Sequence, residues 1–315
     1  MGKLNHNQRL IISIVCIVVF FALCIFLSVE VYMGVNYGTG IFPTASCYHS
    51  PIDLLNEPYE IETTKLSFDN NGDTIKGTLY MPKDGREVRE ILIYTHGYNG
   101  TSSRLKNFAK SFAYAGIAVV TFDFRYGASL SRSDIRTWKM SIDTEMSDLN
   151  VVIDEVKKWD FVNKDEIYFG GQSLGGLVCG LVAPNRDDIK AMCLCYPAFD
   201  EADYIRDRFP SEDDIPNYFL EDMLVGKDYL LSLHRRDIYE LIKPYEGPVL
   251  IIHGTEDDDV AYESSVKACE GYNDATLVTI EGAGHGFGGD DWVFAIKTIY
   301  EFIEDHIDKS IITIT

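Results

Sequence analysis

The chain has 315 residues, 46% of them hydrophobic, which is enough to bury one large core and requires no second domain. Its 49 acidic residues against 28 basic ones give a formal charge of −21, a field that repels phosphates. This excludes nucleic acid and anionic lipid surfaces as the main partner and favours a neutral or cationic ligand.

Residues 1–9 form a short cytoplasmic N-terminus in this reading, because residues 10–29 are twenty consecutive positions without a charge. At ~1.5 Å per residue such a run crosses a hydrocarbon core of ~30 Å, and it predicts a transmembrane anchor over 10–33. Lys3 and Arg9 precede the run, whereas Glu30 follows it and the next basic residue is Lys65. The positive-inside rule then puts the N-terminus in the cytoplasm and the rest of the chain outside the cell membrane. A cleaved signal peptide and a secreted product form the competing reading. A signal peptide needs an apolar core of only ~7–15 residues with a small-residue site close behind, whereas Thr44-Ala45-Ser46 lies well downstream. Residues 34–58, rich in Gly, Pro, Ser, Tyr and Asn, read as a tether to a domain over 59–315.

That domain opens with two alternating apolar and polar runs, 59–68 and 74–80, around Asn70-Asn71-Gly72-Asp73, a hairpin signal. Strand-like runs at 90–95, 117–122, 166–169, 189–195, 248–252 and 276–280 then alternate with helix-like stretches near 103–115, 140–159 and 292–306. Met146, Leu149, Val152, Ile153 and Val156 fall on one helical stripe. Apolar strands alternating with amphipathic helices predict an α/β fold, a mostly parallel sheet covered on both faces. Residues 198–236 break the alternation with ten carboxylates and six aromatics, and they read as an inserted cap. A crossover helix with long acidic loops is the alternative. The seven cysteines are an odd number without a disulfide framework, and Cys193 and Cys195 are expected as buried thiols.

The chemistry is carried by Gly171-Gln172-Ser173-Leu174-Gly175, a Gly-x-Ser-x-Gly turn between an apolar strand and a small-residue helix. Such a turn lifts the serine clear of the sheet and aims the first helical amide, that of Leu174, at a developing oxyanion. A serine nucleophile needs a base, and the base needs an acid to hold its tautomer. His285 is the preferred base, since Gly282, Gly284, Gly286 and Gly288 leave its loop bare enough to fold towards the serine. His96 and His253 each close a strand before glycine and read as satisfying backbone groups. His234 is a candidate substrate contact. Among three consecutive aspartates, Asp257 is the preferred acid, Asp259 a helix cap and Asp258 a solvated charge. A second oxyanion donor is sought in His96-Gly97-Tyr98 after a central strand, where the amide of Tyr98 is the candidate. The sequon Asn99-Gly100-Thr101 falls in the same loop, where a glycan would obstruct the site.

His96-Gly97-Tyr98, Phe122-Asp123-Phe124-Arg125-Tyr126-Gly127, Gly171-Gln172-Ser173-Leu174-Gly175-Gly176, His253-Gly254 with Asp257 and Val260, and Gly282-Ala283-Gly284-His285-Gly286-Phe287 together resemble the successive blocks of the α/β-hydrolase superfamily. The likeness is greatest to the serine-aminopeptidase-like, monoacylglycerol-lipase-like group that includes bacterial cinnamoyl (feruloyl) esterases, and it covers residues 59–307. Asp237-Ile238-Tyr239-Glu240 and a cap after the sixth strand add to it. The resemblance implies the α/β-hydrolase fold, a triad of Ser173, Asp257 and His285, and an oxyanion hole of Tyr98 and Leu174. Phe124-Arg125-Tyr126-Gly127 departs from the usual Arg-Gly-His-Gly form, and a membrane anchor is unusual for soluble esterases of this kind.

The expected function is therefore hydrolysis of a small-molecule carboxylic ester with a neutral or aromatic acyl group, without metal or cofactor. Tyr204, Phe209, Tyr218 and Phe219 of the cap are the candidate substrate contacts. Peptidase, amidase or acyltransferase chemistry could use the same triad, and a catalytically inactive surface binding protein is the alternative of another class.

Overall fold

A computed structural model describes residues 51–308. The predicted anchor over 10–33 lies outside the described residues, and among those described no helix is long and apolar enough to cross a membrane. The chain enters the sheet through the hairpin of β1 (Ile61–Asn70) and β2 (Asp73–Pro82). Asn71 and Gly72 both have positive φ, 56° and 88°, as a two-residue type I′ turn requires, and so pairing continues to Asn70 opposite Asp73. The tightness of that turn is why both strands extend beyond their predicted ends.

Strands and helices then alternate: β3 (Arg89–Thr95), α1 (Lys106–Tyr114), β4 (Ala118–Asp123), α2 (Ile142–Val156), β5 (Val162–Gln172), α3 (Leu174–Val182) and β6 (Ala191–Cys195). The cap follows, with α4 (Glu201–Arg208), a small hairpin of β7 (Tyr218–Leu220) and β8 (Leu224–Gly226), and α5 (Lys227–His234). After α6 (Ile238–Ile242) come β9 (Val249–Gly254), α7 (Tyr262–Gly271), β10 (Ala275–Ile280) and α8 (Gly289–His306). The main sheet runs β1-β2-β4-β3-β5-β6-β9-β10, antiparallel from β1 to β4 and parallel from β4 through β3 to β10. This is the α/β-hydrolase arrangement.

β3 and β4 are buried at every residue, as the continuous apolar runs demand of central parallel strands. Leu149, Val152, Ile153 and Val156 of α2 are fully buried and Met146 only partly, so the predicted stripe faces the sheet. α2 starts later than its periodicity suggests, because Ser141 caps it. The Ser141 hydroxyl accepts from the Thr144 amide at 3.1 Å and the Thr144 hydroxyl accepts from the Ser141 amide at 2.9 Å.

Two elements were not legible in the apolar pattern. α7 buries Ser264, Ser265 and Ala268, a face of small residues that gives no hydrophobic period. The cap does not form a small core of its own. Phe199, Ile205, Met223, Val225, Tyr229, Leu230 and Leu233 join the same buried cluster as α2 and α3, and Ser232 on α5 accepts the Ile142 amide at 3.0 Å. Cys179, Cys193 and Cys195 are buried free thiols.

Candidate active site

Ser173 occupies the sharp turn between β5 and α3 with φ 53° and ψ −126°, a conformation that costs a non-glycine residue of order 1–3 kcal/mol. Three backbone hydrogen bonds over-determine it. The Ser173 amide donates to the Cys195 carbonyl at 3.0 Å, and the Ser173 carbonyl accepts from Leu177 at 3.2 Å and Ala198 at 3.1 Å. The flanking glycines are there for space. A Cβ on Gly171 would lie 2.6 Å from the Gly175 carbonyl carbon, and one on Gly175 would lie 2.4 Å from the His96 carbonyl oxygen. The turn can therefore sit against β3 only with glycine at both positions.

The loops after β9 and β10 bring the other two groups to this turn. His285 Nε2 lies 3.1 Å from Ser173 Oγ, and His285 Nδ1 lies 2.9 Å from Oδ2 and 3.1 Å from Oδ1 of Asp257. A carboxylate only accepts, so Nδ1 carries the proton and Nε2 is left to accept from the serine hydroxyl. The Asp257 side chain is fully buried, while that of His285 remains 22% exposed. Burial acts to raise the Asp257 carboxyl. The hydrogen bonds from His253 and His285, the charge of His285 and the Val260 amide outweigh it and hold the group well below the usual carboxylate range. Asp257 therefore stays ionised down to strongly acid pH.

The strand-end loop after β3 packs directly on the serine. A Cβ on Gly97 would fall 2.9 Å from Ser173 Cβ and 3.3 Å from its Oγ, so the loop that carries Tyr98 lies against the serine. Leu174 is the first residue of α3, so its amide is one of those a helix leaves without an intrahelical partner. N–H groups that converge beside an attacking serine can hold an oxyanion. His96 fixes this loop: its Nδ1–H donates to the Gly97 carbonyl at 2.9 Å, and its Nε2 accepts the Phe124 amide at 3.1 Å. Burial lowers its pKa and keeps the ring neutral, as both bonds require. Asn99 Oδ1 accepts the Ser129 amide at 3.0 Å, so the side chain of the sequon helps to hold this loop.

Several expectations change in detail. Asp259 is not the cap of α7: Ala261 is the residue before that helix, and the side chain that accepts the Ala261 amide, at 2.9 Å, is Asp200. His253 does more than satisfy backbone, since its Nε2 lies 3.1 Å from Asp257 Oδ2. His234 turns inward, with Nε2 3.0 Å from the Phe209 carbonyl. Phe209 and Phe219 pack edge to face with centroids 5.6 Å apart, Tyr204 donates to Glu221 at 2.9 Å, and Tyr218 is 62% exposed. The cap residues that reach the loop of His96 to Tyr98 are others. The Tyr98 hydroxyl donates to the Met223 carbonyl at 3.3 Å, and the Tyr98 ring lies 5.8 Å from that of Tyr229. Tyr229 in turn donates to Glu201 at 3.2 Å, whose partly enclosed carboxyl is pushed up to about 7 by burial, against the lowering effect of that bond.

Sequence reasoning also missed Tyr196. It has φ 36° just after β6 and sets its ring edge-on to His285 at 4.7 Å and to Phe287 at 4.9 Å. Its only sequence signal is its place at the end of a strand neighbouring the serine turn.

Residues 86–241 match the family model described as serine aminopeptidase, S33. No curated protein sequence matches the chain. Est1E from Butyrivibrio proteoclasticus, in a structure with ferulic acid bound, is 28% identical with a TM-score of 0.70, covering 78% of this chain and 100% of that one. GrgF from Penicillium sp. sh18 is 18% identical (TM-score 0.63, 78% and 99% covered), and an acetyl xylan esterase from Paenibacillus sp. R4 is 16% identical (TM-score 0.59, 79% and 90% covered). At those identities the latter two bear on fold alone. The sheet order, the serine turn and these matches identify a hydrolase of the α/β type, similar to the α/β-hydrolase superfamily. Within it, the likeness is to the serine-aminopeptidase-like group and to Est1E.

Proposed function

We propose that this protein is a serine esterase that cleaves carboxylic esters of short neutral or aromatic acyl groups through an acyl-enzyme. One observation carries the reading: Ser173 Oγ, His285 and the buried Asp257 form a continuous hydrogen-bonded relay of 3.1 and 2.9 Å at a strained turn. In this mechanism His285 Nε2 takes the proton from Ser173 as Oγ attacks the ester carbonyl. The amides of Tyr98 and Leu174 hold the oxyanion, and His285 returns the proton to the departing alkoxide. Water then enters, gives its proton to His285 and releases the acid, restoring Ser173. A fluorophosphonate probe tests the reading. Labelling of the wild type and loss of labelling in Ser173→Ala support it, whereas an unlabelled wild type would leave an inactive binding protein.

The acyl class is argued from the cap and from Est1E, which was solved with ferulic acid bound. Residues 198–236 carry ten carboxylates against five basic side chains, so an anionic acyl chain meets an unfavourable field that a neutral aryl or short aliphatic one does not. Aromatic walls add about 0.5–1.5 kcal/mol per stacking contact. Replacing Tyr204, Phe209, Tyr218 or Phe219 by alanine is expected to change kcat/KM for a hydroxycinnamate ester about 2- to 10-fold relative to the matching acetate. An equal change on both substrates would reduce these residues to packing. The family description favours a second reading, a peptidase, and turnover of aminoacyl anilides in preference to esters would establish it.

The uncharged run at 10–29, with basic residues only on its N-terminal side, supports a single-pass anchor with the hydrolase domain outside the cell. The full chain is expected to stay with membranes after a high-salt wash, and removal of residues 1–33 to release a soluble, fully active protein. Recovery of the intact chain in the soluble fraction, or a mature N-terminus near residue 47, would replace the anchor with secretion.

A further inference from the structure

Asp257 has a second histidine. His253, at the end of β9, is fully buried, and its Nε2 faces two acceptors, Asp257 Oδ2 at 3.1 Å and the Val260 carbonyl at 3.2 Å. Nε2 must therefore carry a proton, and Nδ1, 2.7 Å from Ser265 Oγ, accepts from that hydroxyl. Ser265 is itself fully buried on α7. The chain of contacts Ser265–His253–Asp257–His285–Ser173 is thus a serine–histidine pair on each side of one aspartate, one pair enclosed and the other open to substrate.

The arrangement matters because a carboxylate on a loop can rotate about its last bond. The amides of Asp259 and Val260 bind Oδ1, at 3.0 and 2.9 Å, while Oδ2, the oxygen closer to His285 Nδ1, receives its other donor from His253. With both oxygens pinned, the carboxylate plane is set before substrate arrives, which is the preorganisation that a triad acid needs. We infer that His253 is a positioning residue of the active site: its Nε2–H, oriented by Ser265, fixes Asp257 Oδ2 on His285. The inference rests on the proposed esterase reading, since it acts through Asp257 on the base of that reaction.

The test is steady-state hydrolysis of p-nitrophenyl acetate by His253→Leu, His253→Gln and Ser265→Ala, with Ser173→Ala alongside and Tm measured for each. Leucine fills the space without a donor, whereas glutamine carries an amide N–H to about the reach of Nε2. His253→Leu is expected to lower kcat about 10- to 100-fold, the loss of one hydrogen bond to a charged group, with KM within about twofold. His253→Gln is expected to recover most of that loss. Ser265→Ala leaves Nδ1 without its donor and the ring freer to turn away from Oδ2, and a fall in kcat of about 3- to 10-fold at unchanged KM is expected. On an Asp257→Asn background, His253→Leu is expected to add less than about threefold, because both changes act through one carboxylate.

Wild-type kcat in His253→Leu, or equal losses in the leucine and glutamine variants with the same fall in Tm, would make His253 a packing residue and overturn the inference. Where His253→Leu does not fold, Ser265→Ala decides: wild-type kcat there overturns it. Activity surviving in Ser173→Ala would instead overturn the esterase reading itself, so the two failures are distinct.

Discussion

Ser173→Ala is expected to lower kcat on p-nitrophenyl acetate by about 10⁶-fold, the scale of losing the nucleophile of a serine hydrolase, with Tm unchanged within a few degrees. The substitution removes one hydroxyl, which hydrogen-bonds to His285, while the backbone bonds to Cys195, Leu177 and Ala198 keep the turn in place. Alanine meets the same positive φ that serine already tolerates, so no new strain is added. Far-UV circular dichroism and thermal melting check the fold, and the residual rate checks the chemistry. Retention of more than a few per cent of the rate by a folded variant would remove Ser173 from the mechanism.

Asp257→Asn is expected to cost about 10⁴-fold in kcat, the loss seen when a triad acid can no longer hold its histidine in the correct tautomer. The geometry gives the reason here. His285, His253 and the amides of Asp259 and Val260 all donate to this one carboxylate. An asparagine offers one oxygen to these donors, and its NH₂ faces at least one of them. If that one is His285, its proton moves to Nε2 and the serine loses its acceptor. Asp258→Asn and Asp259→Asn are expected to stay within about twofold, because Asp259 contributes only its backbone amide, which the substitution keeps. Equal losses across the three aspartates would contradict the assignment of the acid.

What the sequence made legible was local chemistry. Asn71-Gly72 announces its turn because only a few residues accept two positive φ angles in a row. Gly171 and Gly175 announce the serine turn because a Cβ at either would collide with backbone. His285 stood out by its bare loop, and the Ser, Asp, His order followed from chain position alone. What stayed hidden depends on contacts between distant segments. Tyr196 meets His285 across 89 positions of sequence, and Tyr229 meets Tyr98 across 131, with no periodicity to mark either. α7 was signalled only by the cap read at Asp259 and not by any apolar period, because small residues form its buried face. His253 looked like a strand-ending histidine because its side chain's direction, towards Asp257 and Ser265, is set by the packing of α7 on β9. The cap aromatics were legible as a group but not individually, since their division between the common core and the surface depends on how the β7–β8 hairpin folds over the loop that carries Tyr98.

In the proposed reaction the acyl group passes through Ser173. Rapid acid quench of the protein with excess p-nitrophenyl acetate, followed by intact-mass measurement and peptide mapping, detects this intermediate. An added acetyl is expected on the peptide that contains Ser173, formed within the first turnover and absent from Ser173→Ala. Acetyl on another side chain, or steady turnover by the folded Ser173→Ala variant, would contradict it.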